Sequence, residues 1–145
     1  MKIDDLKKIR KLEFNDVAVG DEVWFLKKIG REEMKKFEEL TGNTTPLHTD
    51  LEYAKQKGFG GIVVYGLLTA AYFSTLFGMF LPGEKCLCLD HHIIYKNPLI
   101  EGETIKVFGK ITHKIDGLQI LVIKTQIFNE KEEIIIDGEA KVKFI

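Results

Sequence analysis

The sequence predicts an α+β domain in which a curved antiparallel sheet wraps around one long helix. Three observations predict it. Residues 59–83 carry no charge at all, which reads as a helix buried on all sides. Nearly everything after that run reads as strand, with apolar residues at alternate positions and turn signals between them. An antiparallel sheet needs its apolar face covered, and an all-round apolar helix is the available cover.

Taken in order, residues 1–13 are charged and suit a helix or a loose arm. A strand is expected around residues 22–26. Residues 31–41 read as a helix, with Met34, Phe37 and Leu40 at three-residue steps and Gly42 placed to end it. Thr49 followed by Glu52 three residues later fits a capping box, so a second helix should start at Thr49 and stop at Gly58. The long uncharged helix is expected over residues 62–80, closed by Pro82 and Gly83. Strands follow over residues 85–95, 104–113, 118–128 and 134–144. Asp116-Gly117 marks a hairpin turn. Residues 118–128 are apolar on both faces, as in a central strand. In the last strand Gly138, Ala140, Val142 and Phe144 face one way and Glu139, Lys141 and Lys143 the other.

The 145 residues, read as one domain over 1–145, are 45% hydrophobic and 30% charged, as in an ordinary soluble protein. A net charge of −1 gives no electrostatic footprint for nucleic acid. An uncharged run of roughly 18 or more residues can be a membrane span. Here the run holds Gly60, Gly61, Gly66 and Gly78, has no basic belt on one side and leads into amphipathic strands, so a buried helix and no membrane is the expectation. Cys86 and Cys88, two apart, rarely suit a disulfide and point to a reducing compartment. The charged N-terminus lacks the apolar core of a signal peptide, and a cytoplasmic protein is expected. Cys86, Cys88, His91 and His92 match no common zinc spacing and are read as structural, with His91 and His92 on opposite faces of a strand. No metal and no cofactor are expected; no dinucleotide fingerprint, nucleophile elbow or phosphate loop is present.

The richest stretch is Thr41-Gly42-Asn43-Thr44-Thr45-Pro46-Leu47-His48-Thr49-Asp50, a polar turn with a histidine at a helix entrance. The positive end of a helix dipole favours a neutral imidazole, and a neutral histidine is a usable base. Asn43 can orient a water but cannot take its proton; it also suits a turn after Gly42. Gly66, near the N-terminus of the apolar helix, offers a backbone N–H to an anionic oxygen, or a close helix–sheet approach.

The stretch resembles the T-G-D-x-N-P-L-H-x-D signature of the MaoC-like (R)-specific enoyl-CoA hydratases, a branch of the hot-dog fold. Gly61-Ile62-Val63-Val64-Tyr65-Gly66-Leu67-Leu68 is similar to that family's P-I-A-H-G-M-L block. Residues 95–104 resemble its F-x-x-P-V-x-x-G-D-T segment, which supports the fold and carries no chemistry. The resemblance implies a hydratase or dehydratase acting on enoyl or 3-hydroxyacyl thioesters of coenzyme A or an acyl carrier protein. It implies His48 as base, Asn43 as water-positioning group and Gly66 as carbonyl-binding residue. Thr45, Pro46, Tyr65 and Leu67 are expected to touch substrate. The family's catalytic Asp is Asn43 here, its bracing Asn is Thr45 and its second His is Tyr65. A homodimer with sites between subunits is also implied. Two alternatives stand beside the hydratase: a hot-dog acyl-CoA thioesterase, and a non-catalytic binder of acyl thioesters.

Overall fold

Alternation in the chain makes five strands among residues 8–145, the residues that the computed structural model describes. They are β1 (Glu22–Lys28), β2 (Cys86–Tyr95), β3 (Thr104–Ile115), β4 (Ile120–Phe128) and β5 (Ile134–Phe144). They form an antiparallel sheet in the order β1-β3-β4-β5-β2. In β4, Ile120, Leu121, Val122 and Ile123 are all buried, as a strand apolar on both faces requires. β5 alternates as expected, with Ala140, Val142 and Phe144 buried and Glu139, Lys141 and Lys143 exposed. The Asp116-Gly117 signal becomes a 3₁₀ turn over Asp116–Leu118 joining β3 to β4. β2 pairs with β5 on one side and is otherwise an edge, which leaves Leu87, Leu89, Ile94 and Tyr95 exposed.

The helices are α1 (Arg31–Thr41), α2 (Pro46–Thr49), α3 (Leu51–Gln56) and α4 (Gly66–Thr75), the last continued by a π-helical turn over Leu76–Phe80. Phe73, Leu76, Phe77 and Phe80 join Phe25, Ile105, Val107, Ile111 and Ile123 in one core between α4 and the sheet. Gly42 ends α1 in the left-handed conformation, φ 72°, its N–H bonded to the Glu38 carbonyl.

Several expectations need correction. Leu40 is 83% exposed, whereas Met34 is buried. Three-residue steps drift against the 3.6-residue turn, so the third member of the series leaves the core face. Thr49 does not cap the next helix. Its hydroxyl reaches the Thr44 and Thr45 carbonyls, and Asp50 caps α3 through the Tyr53 N–H. The apolar helix begins at Gly66 and not at residue 62. Residues 62–65 are extended, because Val64 N–H bonds to the Leu99 carbonyl and Glu101 N–H to the Ile62 carbonyl. Nor is the helix buried on all sides: Leu68, Thr69 and Phe73 face the core, while Leu67 is 68% exposed and Ala71 and Ser74 lie on the open side. The helix or loose arm expected over residues 1–13 falls partly outside the described residues. Within them, Lys11 bridges to Gly83 as a short antiparallel pair. Among the described residues no helix is long and apolar enough to cross a membrane.

Candidate active site

The loop after α1 is shaped by its own side chains. The Asn43 Oδ1 accepts from the Thr45 N–H at 3.0 Å and from the Thr45 hydroxyl at 2.6 Å. This local turn delivers Pro46 to the first position of α2, where a missing N–H costs nothing. His48 follows within the same single turn, its N–H on the Thr45 carbonyl.

The His48 ring is held by one short bond, Nδ1 to the Val63 carbonyl at 2.7 Å. A carbonyl only accepts, so Nδ1 carries the proton and a neutral ring presents Nε2 as its lone-pair nitrogen. Among the described residues Nε2 has no hydrogen-bond partner. The Val63 carbonyl is available because residues 62–65 are not helical. The same segment is tied back to the loop by the Val63 N–H on the Leu47 carbonyl.

Tyr65 stands behind the histidine and is 2% exposed. Its ring lies 4.2 Å from the His48 ring and 4.9 Å from that of Phe37, centroid to centroid. Its hydroxyl donates to the Asn43 carbonyl at 2.5 Å. Burial, then the nearby Glu38, raises the Tyr65 hydroxyl above the ordinary tyrosine range, so it remains a donor.

α4 starts at Gly66, whose N–H has no acceptor among the described residues, as expected of a first helical position. A Cβ there would come within 2.8 Å of the Tyr95 ring, so glycine permits the close approach of helix and strand. His48, Val64, Gly66, Thr69, Tyr95, Lys96, Asn97, Pro98, Leu99 and Ile135 line a cavity of about 320 Å³. Burial raises the Tyr95 hydroxyl as well.

His48 and Gly66 thus meet on one cavity, with Tyr65 packed behind His48 and Asn43 joined to it through a backbone carbonyl. Thr45 holds the Asn43 side chain, and Pro46 is exposed on α2. Leu67 points outward and does not line this cavity. The segment from Tyr95 to Leu99, read from sequence as fold support only, supplies much of the lining. Gly66 hinted at a close approach, but nothing in the sequence said what approaches it.

A second cavity, about 570 Å³, lies further along α4. Ala70, Phe73, Phe77 and Gly78 line one side and Cys86, Cys88 and His91 of β2 the other. His91 Nε2 lies 2.9 Å from the Thr125 hydroxyl, with the ring edge-on to Phe73 and Phe77. Burial lowers the His91 imidazole below its usual range, against a smaller opposite effect of Asp90. Burial, then neighbouring Cys88, pushes the Cys86 thiol up to about 11, which keeps it protonated and unreactive. Among the described residues no three His, Cys, Asp or Glu are arranged to hold a metal ion.

Comparison with known proteins agrees with this fold. A family model described as the MaoC like domain matches residues 11–132. The chain is 30% identical over 127 residues to the (R)-specific enoyl-CoA hydratase of Aeromonas caviae, covering 88% of this chain and 95% of that protein. It is 28% identical over 138 residues to the 3-hydroxybutyryl-CoA dehydratase of Methylorubrum extorquens, covering 95% and 87%. The unliganded R-hydratase of Pseudomonas aeruginosa shares the fold with a TM-score of 0.88 at 23% identity, over 94% of this chain and 87% of that one. Sheet order, central helix, family model and relatives agree, and the chain belongs to the MaoC-like domain family and has its hot-dog fold.

Proposed function

We propose that this protein is an (R)-specific hydratase or dehydratase of enoyl and 3-hydroxyacyl thioesters carried on coenzyme A or an acyl carrier protein. The observation that carries the reading is the His48 Nδ1 bond to the Val63 carbonyl, which leaves Nε2 as the basic nitrogen on a cavity shared with the Gly66 N–H. In the hydration direction, Nε2 takes a proton from water as the water oxygen bonds to C3 of the enoyl group. Charge moves to the thioester oxygen, which accepts a hydrogen bond from Gly66 N–H at the positive end of α4. The proton on His48 then goes to C2, so that water has added across the double bond. Dehydration is the reverse.

Asn43 has a limited part. Thr45 N–H is a donor, so the atom facing it is Oδ1 and the free side of the amide is Nδ2. Nδ2 can hold a water by donating to its oxygen, and the proton transfer falls to His48 alone.

Leu87, Leu89 and Ile94 of the edge strand β2 and Leu67 of α4 are exposed apolar side chains. We propose that two copies pair across these side chains, which would set the sites between subunits. Sedimentation giving 16.6 kDa at micromolar concentration would count against the dimer. Its two free thiols fit work in the reducing cytoplasm. The decisive test of the reaction is an assay with crotonyl-CoA that follows enoyl absorbance and free thiol together. Loss of absorbance without thiol is expected. Thiol release would mean a thioesterase, and no change in either signal a binder.

A further inference from the structure

Tyr95 ends β2 beside the start of α4 and lines the cavity that holds His48 and Gly66. The hydroxyl end of its ring is the part that meets Gly66. From the place where a Cβ on Gly66 would stand, Cε1 lies at 2.8 Å, Cζ at 3.2 Å and Cδ1 at 3.3 Å. Cζ carries the hydroxyl, so the oxygen is one bond from the atoms that pack on the first residue of α4. That oxygen has no hydrogen-bond partner among the described residues. Other polar side chains of the cavity are already engaged. The Thr69 hydroxyl donates to the Tyr65 carbonyl at 3.3 Å, and the Asn97 amide donates to the Ile134 carbonyl at 2.7 Å. The Tyr65 hydroxyl, behind His48, is occupied by the Asn43 carbonyl. Tyr95 is 49% exposed, so a ligand entering the cavity meets this side chain without displacing a protein group.

We propose that Tyr95 is a catalytic residue whose hydroxyl donates a second hydrogen bond to the thioester oxygen, beside the one from the Gly66 N–H. This role rests on the hydratase reading given above. Charge gathers on that oxygen as water adds at C3, and two fixed donors stabilise it more than one. The hydroxyl keeps its proton throughout, since burial holds it above the ordinary tyrosine range. The family segment that residues 95–104 resemble begins with Phe, so the hydroxyl is a group that this chain adds. It is added to a site where residue 43 is an amide and His48 is the base. A second donor at the oxygen lowers the same barrier from the other end of the reacting group.

The test is Tyr95→Phe, which keeps the ring on Gly66 and removes only the hydroxyl. For hydration of crotonyl-CoA, kcat should fall by about 10²-fold. KM should stay within about twofold, because the bond strengthens only as charge develops. A second readout is independent of turnover. Acetoacetyl-CoA bound in the cavity can lose a proton to give an enolate, whose charged oxygen stands in for that of the transition state and whose absorbance reports it. In Tyr95→Phe the bound ligand should form its enolate at a pH higher by about one unit or more, the worth of one hydrogen bond to a charged oxygen. A wall that is merely loosened would weaken binding and leave that pH in place. With an active wild type, an unchanged kcat, or a lower kcat with the enolate forming at the same pH, overturns the Tyr95 role and leaves the hydratase reading standing. If the wild type hydrates no enoyl thioester, the hydratase reading and the catalytic role fail together, while the enolate measurement still decides whether the hydroxyl meets a thioester oxygen.

Discussion

The Tyr65 hydroxyl donates to the Asn43 carbonyl while the Tyr65 ring lies 4.2 Å from the His48 ring. One side chain thereby spans the two parts of the loop that would handle a water, the Asn43 turn and the histidine. A hydroxyl reaching a backbone carbonyl acts through position, whatever the side chain at 43.

That relationship sets a first prediction. Tyr65→Phe keeps the ring contacts with His48 and Phe37 and removes the bond to Asn43. One part-buried hydrogen bond contributes about 1 kcal/mol, so the melting temperature should fall by about 3 °C. Turnover should fall with KM little changed, because the loop loosens while the cavity wall stays. Steady-state kinetics beside a thermal melt check both.

His48→Ala should remove turnover by a factor of about 10²–10⁴. The residue is half-buried on the one-turn helix α2, so the fold should survive, with a cooperative melt shifted by a few degrees. A variant with normal activity would remove His48 from the mechanism, and one that fails to fold would assign it to structure.

Asn43→Asp should raise hydration of crotonyl-CoA by about tenfold or more, since it supplies a second base. One carboxylate oxygen can still accept from Thr45, so the turn is kept. The other oxygen then takes the place of Nδ2 and accepts from the water where the amide could only donate. An unchanged rate would mean that residue 43 does not reach the reacting water.

His91 predicts a pH dependence of stability. Burial lowers its folded pKa below the unfolded value of about 6.5. Between the two values the unfolded chain binds more protons, so stability rises with pH there. The contribution is complete above about pH 6.5 and is lost as pH falls through the folded value. Melts at pH 7.5 and 5.5 should therefore differ more for the wild type than for His91→Gln, whose amide can still meet the Thr125 hydroxyl. Equal differences would sink the assignment.

The sequence by itself determined the fold class and most of its pieces. Alternation in β5, the two-faced apolarity of β4 and the stop at Gly42 are local consequences of side-chain spacing and backbone sterics, and all are present in the molecule. The turn that carries Asn43, Pro46 and His48 was legible for the same reason, since its hydrogen bonds join residues close in the chain. Tertiary structure alone decided where α4 begins. Residues 62–65 are as apolar as a helix, and their extended state comes from pairing with residues 99–101, far along the chain. That displacement frees the Val63 carbonyl for His48, brings the Tyr95–Leu99 segment into the cavity and leaves Leu67 outside it. Periodicity reports which residues avoid water. It does not report which distant backbone will satisfy a segment's hydrogen bonds, and here that second question placed the site.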